Sequence, residues 1–115
     1  MTKPIGSRAD YRWFLTIPTR WMDNDVFAHV NNVVYYSWFD TTVARFLIDT
    51  LRVNPLESEI VGFVVETQCR YFAPTAFPDV ITGGLRVARI GNTSVRYELG
   101  IFRNDEDRAS AEGHF

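Results

Sequence analysis

Cysteine is almost missing from this chain. Cys69 is the single thiol in 115 residues, so no internal disulfide can form and the disulfide-stapled class of small secreted domains is excluded. Histidine is nearly as scarce, with only His29 and His114, and no Cys/His cluster has ligand spacing, so no metal site is expected. Long hydrophobic runs are absent too. The longest stretch free of formal charge, Val26 to Phe39, is shorter than the ~18 apolar residues of a spanning helix and contains His29, Asn31 and Asn32, so no membrane association is expected. Basic runs are lacking: 12 basic against 14 acidic side chains leave a net charge of −2, which argues against nucleic acid as a partner. The first ten residues are polar and carry both charge signs, unlike a secretory signal, so the expected compartment is the cytoplasm. There is no internal repeat, G-x-S-x-G elbow, P-loop or dinucleotide fingerprint.

What is present is a composition for one well-packed domain, 46% hydrophobic and 15% aromatic. Residues 1–10 read as a flexible lead-in and 11–115 as the domain. Tyr11, Trp13, Leu15 and Ile17 alternate with polar neighbours as a first strand that ends near Pro18 to Trp21. From Val33 to about Val53 the polar residues fall within half of a helical wheel, while Tyr35, Trp38, Phe39, Val43, Phe46 and Leu47 fill the other half. That predicts a long buried helix, capped by Asn31 or Asn32, whose bulky face calls for a sheet wrapped around it. Strand patterns follow at 60–72, 80–90, 93–103 and 108–115, with Gly83-Gly84 suggesting a bulge or bend and Gly91-Asn92 a tight turn. The order is α+β, with the last four strands read as a meander and the final strand as cut short. So aromatic a helix and sheet edge predict self-association, most simply as a twofold dimer.

The densest chemistry lies between the first strand and the helix. Asp23, Asn24, Asp25 and His29 precede a helix start, where unpaired amides and partial positive charge suit an oxygen that becomes negative. A carboxylate beside it can act as nucleophile or as general base for water, which together supply the two parts of acyl transfer. Turn-capping is the plain alternative for these same side chains.

The run Asp25-Val26-Phe27-Ala28-His29-Val30-Asn31-Asn32-Val33-Val34-Tyr35 resembles the D-x-x-G-H-V-N-N-x-x-Y signature of the hotdog-fold acyl-CoA thioesterases, the 4-hydroxybenzoyl-CoA thioesterase-like group. Cys69-Arg70-Tyr71-Phe72-Ala73-Pro74 matches the family's second-strand ending, and the likeness covers roughly residues 11 to 115. The resemblance implies a curved antiparallel sheet around one central helix, a homodimer or homotetramer, and hydrolysis of an acyl-CoA or related thioester at the subunit interface. It implies no cofactor, coenzyme A being part of the substrate. It places the catalytic carboxylate on Asp25 in preference to Asp23, and amides near Asn32 and Val33 on the thioester carbonyl. Ala28 departs from the family glycine; if that position needs a positive φ, alanine strains the loop.

Around this centre, His29 has two readings, fixing the loop through backbone hydrogen bonds or shuttling a proton to the leaving group. Asn31 and Asn32 are caps, and either can orient the attacking water. Tyr35 is read as pocket lining or as core, Glu66 as a second acid/base group across the interface or as a solvated or ion-paired residue. Arg70, Arg86, Arg89, Arg96 and Arg103 lie in or beside strands, where a guanidinium can fork onto coenzyme A phosphates. Cys69 falls on the apolar face of its strand, as a buried inert thiol. Two other functions share the pattern: an acyl-thioester dehydratase or hydratase needing Asp25 and His29 together, and a non-catalytic acyl-CoA-binding module.

Overall fold

A computed structural model of the chain describes residues 4–53 and 66–115. Its elements are β1 (Trp13–Pro18), α1 (Asn32–Leu51), β2 (Gln68–Tyr71), β3 (Val80–Ile90), β4 (Val95–Arg103) and β5 (Ala111–His114), with 3-10 turns at Arg8–Asp10 and Trp21–Asp23. The five strands form one antiparallel sheet in the order β1-β3-β4-β5-β2, and α1 packs against one face of it. This is the α+β hotdog architecture expected from the sequence.

The helix forms because burial outweighs local preference. Val33, Val34, Thr41, Thr42 and Val43 are β-branched, each costing a few tenths of a kcal/mol against the best helix formers. Tyr35, Trp38, Phe39 and Val43 are buried against Ile81, Leu85, Leu99, Ile101 and Ala111 of the sheet, and each such side chain contributes about 1.5–3 kcal/mol. Asn31 is the N-cap, its Oδ1 accepting the Val33 N–H at 3.0 Å. Thr42, wholly buried, satisfies its hydroxyl by donating to the Trp38 carbonyl at 2.7 Å.

Three expectations change. Only β3, β4 and β5 form a meander; β2 lies at the far edge beside β5, because residues 72–79 carry the chain across the sheet end instead of turning back on β2. The register irregularity in β3 falls between Val87 and Arg89, not at Gly83-Gly84. The glycine pair instead admits close neighbours on both faces: a Cβ on Gly83 would sit 2.4 Å from Thr42 Oγ1, and one on Gly84 would sit 3.1 Å from the Tyr11 side chain. Finally, the lead-in is docked from residue 4 onward. Ile5 and Tyr11 pack on Phe102 and Ala109 on the sheet face away from α1, while Ala109 N–H donates to Gly6 and Arg8 N–H to Asp107. The second strand's apolar positions Val61, Phe63 and Val65 lie outside the described residues.

Candidate active site

Asp25 lies in a loop closed on itself just before α1. Asn24 and Val30 form an isolated antiparallel bridge, Asp25 N–H donates to the His29 carbonyl at 2.9 Å, and Asn31 N–H donates to the Asp23 carbonyl at 2.9 Å. Those bonds fold the loop back on itself, with Asp25 paired to His29 and Asp23 to the Asn31 cap of the helix. Within the loop, Asp25 Oδ1 accepts the Phe27 N–H at 2.9 Å, which fixes the carboxylate and leaves Oδ2 uncommitted among the described residues. Ala28 N–H donates to the Asp25 carbonyl at 3.0 Å, and Ala28 itself has φ +61°, the left-handed conformation that alanine adopts only at a cost. The position therefore does require what a glycine would supply.

Asp23 differs in kind. Its carboxylate is 2% exposed and taken at both oxygens by Arg20, through the backbone N–H at 2.8 Å and the guanidinium at 2.8 and 3.1 Å. It braces the Trp21–Asp23 turn and has no oxygen left to act on a substrate.

At the helix start the two amides are unequal. Val33 N–H is already held by the Asn31 cap, whereas Asn32 N–H has no partner among the described residues. Asn32 also anchors the site to the sheet, since its carbonyl accepts the Tyr71 hydroxyl at 2.9 Å. The His29 ring is exposed and makes no hydrogen bond among the described residues; its main-chain carbonyl, not its imidazole, ties the loop.

Other sequence-selected residues lie elsewhere. Tyr35 is a core residue, 2% exposed, with its ring against Trp38 and Tyr71 and its hydroxyl 2.7 Å from Thr75 Oγ1. Burial pushes its phenol above the ordinary tyrosine range. Glu66 precedes β2 and pairs with His114 Nε2 at 3.0 Å. Arg70 projects from β2 into a groove that none of residues 20–35 line. Within one chain, then, backbone bonds tie Asp25 to His29 and Asp23 to Asn31, the residue that caps the helix start, while Glu66 pairs with His114 and Arg70 lines a separate groove.

Two supports come from the segment after β2, where nothing in the sequence pointed to them. Thr75, 1% exposed, bonds the Tyr35 hydroxyl and accepts the Val30 N–H on its carbonyl at 2.8 Å. Asn24 Oδ1 accepts the Phe77 N–H at 3.0 Å. The segment 72–79 thus pins both ends of the Asp25 loop. The surface around it is apolar: Trp21, Met22, Val26, Phe27 and Val33 are each between 73% and 94% exposed. Among the described residues no group of His, Cys, Asp and Glu could hold a metal, and no helix is long and apolar enough to cross a membrane.

Comparison with known proteins agrees with this architecture. The family model for the thioesterase superfamily matches residues 27–110. Among solved structures, the PA5185 protein of Pseudomonas aeruginosa is 49% identical with a TM-score of 0.95, over 97% of this chain and 78% of that one. A Thermus thermophilus thioesterase crystallised with coenzyme A and zinc is 27% identical, with a TM-score of 0.76 over 90% of this chain and 80% of its own. A DHNA-CoA thioesterase from Staphylococcus aureus, 18% identical with a TM-score of 0.80 over 88% of this chain and 68% of its own, shares the fold. No protein with a curated description matches the sequence. Family model and named relatives together support thioester hydrolysis as the general activity, and the chain belongs to the thioesterase superfamily.

Proposed function

We propose that this chain hydrolyses an acyl-CoA or a related acyl thioester to free acid and thiol, with Asp25 as nucleophile or general base. The observation that carries the reading is that one Asp25 oxygen and one helix-start amide, at Asn32, both remain uncommitted among the described residues, in a loop closed by its own backbone bonds. The thioester carbonyl oxygen, accepting the Asn32 N–H, is stabilised as charge gathers on it. Asp25 Oδ2 then either removes a proton from a water that attacks the carbonyl carbon, or attacks that carbon itself to form a mixed anhydride that water afterwards hydrolyses. On both routes the C–S bond breaks, the thiol leaves and the free acid is released. In this scheme Asn31 holds the helix start, and the exposed His29 ring is available to return a proton to the departing sulfur. A relative of the same superfamily crystallised with coenzyme A supports that thiol as the leaving group here. The exposed Trp21, Met22, Val26, Phe27 and Val33 favour a homodimer or homotetramer in which a second subunit covers the loop.

The test is thiol release across a panel of short, long and aromatic acyl-CoA esters. Asp25→Asn keeps an Oδ1 for the Phe27 N–H, so the loop should persist while turnover falls about 10²-fold or more, in line with loss of a general base or nucleophile. Near-normal turnover removes Asp25 from the reaction. Binding without thiol release by the unmodified protein would instead favour a non-catalytic module. In a single turnover in labelled water, label recovered in Asp25 identifies direct attack, followed by attack of water on the Asp25 carbonyl carbon of the mixed anhydride.

A further inference from the structure

The sheet face turned away from α1 carries an open groove of about 660 Å³. Strand alternation sends Arg86, Arg96, Glu98, Glu112 and Arg70 to this face, and Tyr11 walls it from the docked lead-in. Its carboxylates, Asp10, Glu98 and Glu112, the last opposite Arg70 in the ladder, each accept hydrogen bonds within the chain, Asp10 from the Ser7 N–H at 2.8 Å. Glu98 accepts from Arg86 Nε at 2.8 Å and lies 3.8 Å from Arg96 Nη2, while Glu112 accepts the Gly6 N–H at 3.0 Å and the Tyr11 hydroxyl. The guanidinium donors are not used up. Arg70 lies over the Phe72 ring at 5.2 Å and makes no hydrogen bond among the described residues, and Arg96 has only its long contact with Glu98. The ladder also sets Arg89 opposite Arg96, beside the register irregularity. Like charges placed opposite each other weaken a strand pair, and an anion between them reverses that effect. Unused planar forks on one face match the oxygens of a phosphate group.

We infer that this groove binds a phosphate-bearing anion through Arg70 and Arg96, with Arg89 adding to the positive field. Free phosphate compounds and the phosphate end of a coenzyme A thioester share this chemistry, and the experiment separates them.

Pyrophosphate is titrated by calorimetry at low ionic strength into the unmodified protein, into R70Q/R96Q, and into R45Q/R108Q, which removes two positive charges elsewhere. The expected result is binding to the first and third, and at least tenfold weaker binding to R70Q/R96Q. Should that variant melt early, R96Q alone is expected to weaken binding at least threefold. Absence of binding to the unmodified protein, equal binding by all three, or equal losses in both double variants overturns the inference. This readout needs no turnover, so it stands or falls apart from the role of Asp25. If R70Q/R96Q also raises KM for a coenzyme A thioester but not for the same acyl group on N-acetylcysteamine, the substrate's phosphates occupy the groove. If both KM values hold while pyrophosphate binding is lost, the groove serves a separate phosphate compound.

Discussion

Ala28 offers a substitution whose sign depends on one backbone angle. At φ +61° its Cβ crowds the following carbonyl, a conformation costing an L-residue roughly 1–2 kcal/mol. Ala28→Gly removes that cost, while the freer unfolded chain takes back roughly 0.4–1 kcal/mol. The net gain is about 0.5–1 kcal/mol. For 115 residues, the unfolding entropy near the midpoint is about 0.24 kcal/mol per kelvin, so Tm should rise by about 2–4 °C. The control is Ala44→Gly, the same change on the exposed face of α1, which should cost about 1 kcal/mol. Thermal melts of both at one protein concentration make the comparison. If Ala28→Gly lowers Tm as Ala44→Gly does, the loop is not held in the left-handed region and the account of the Asp25 turn fails.

Gly83→Ala forces a Cβ against the buried Thr42 hydroxyl and should cost about 1–3 kcal/mol by denaturant unfolding, with Thr42→Ala restoring much of it in the double variant. Burial pushes the Cys69 thiol up to about 11, so alkylation by iodoacetamide at pH 8 should be far slower than for a free thiol and should rise steeply above pH 10; fast labelling at pH 8 would contradict its placement. Asp79 is held below the ordinary carboxylate range: burial opposes ionisation, but hydrogen bonds from Ala76 N–H and Asn104, together with the Arg103 charge, outweigh it. A depressed folded value stabilises the fold above the unfolded value of about 3.9 and is lost as pH falls through the folded one. Asp79→Asn should therefore be less stable at neutral pH, and the gap should close in urea titrations between pH 5 and 2.

The helix was legible because its apolar set, Tyr35 through Leu47, is too bulky and too regular in period for another element, and Asn31 caps it as its residue type suggests. The place of Asp25 in the loop that leads into the helix followed from its short separation from Asn31 along the chain. Strand faces were legible and strand neighbours were not: alternation says which side Cys69 and Leu99 share, but nothing in 68–80 marks that β2 will sit beside β5. Ile5 is too isolated to form a period. Tyr11, read as the first residue of the β1 alternation, lies outside β1 and packs in a different cluster from Trp13 and Ile17, so that Ile5 and Tyr11 together cover Phe102. Gly83-Gly84 was misread because a missing Cβ signals either a bend or a close neighbour, and only the packed helix and lead-in decide. Tyr35 and Arg70 belong to the two motifs and Glu66 to the polar face of its strand, whereas in one chain Tyr35 points into the core, Arg70 into a separate groove and Glu66 to His114.

Thr75 and Phe77, through their bonds to Val30 and Asn24, make the stretch between Phe72 and Asp79 a remote brace for the carboxylate loop. A random mutagenesis library scored for lost activity should therefore yield hits at Thr75 and Asn24 that mimic damage to the reacting group while leaving that group chemically intact. Anyone grafting a new loop before α1 inherits the same dependence, and would need to transplant both segments as a unit.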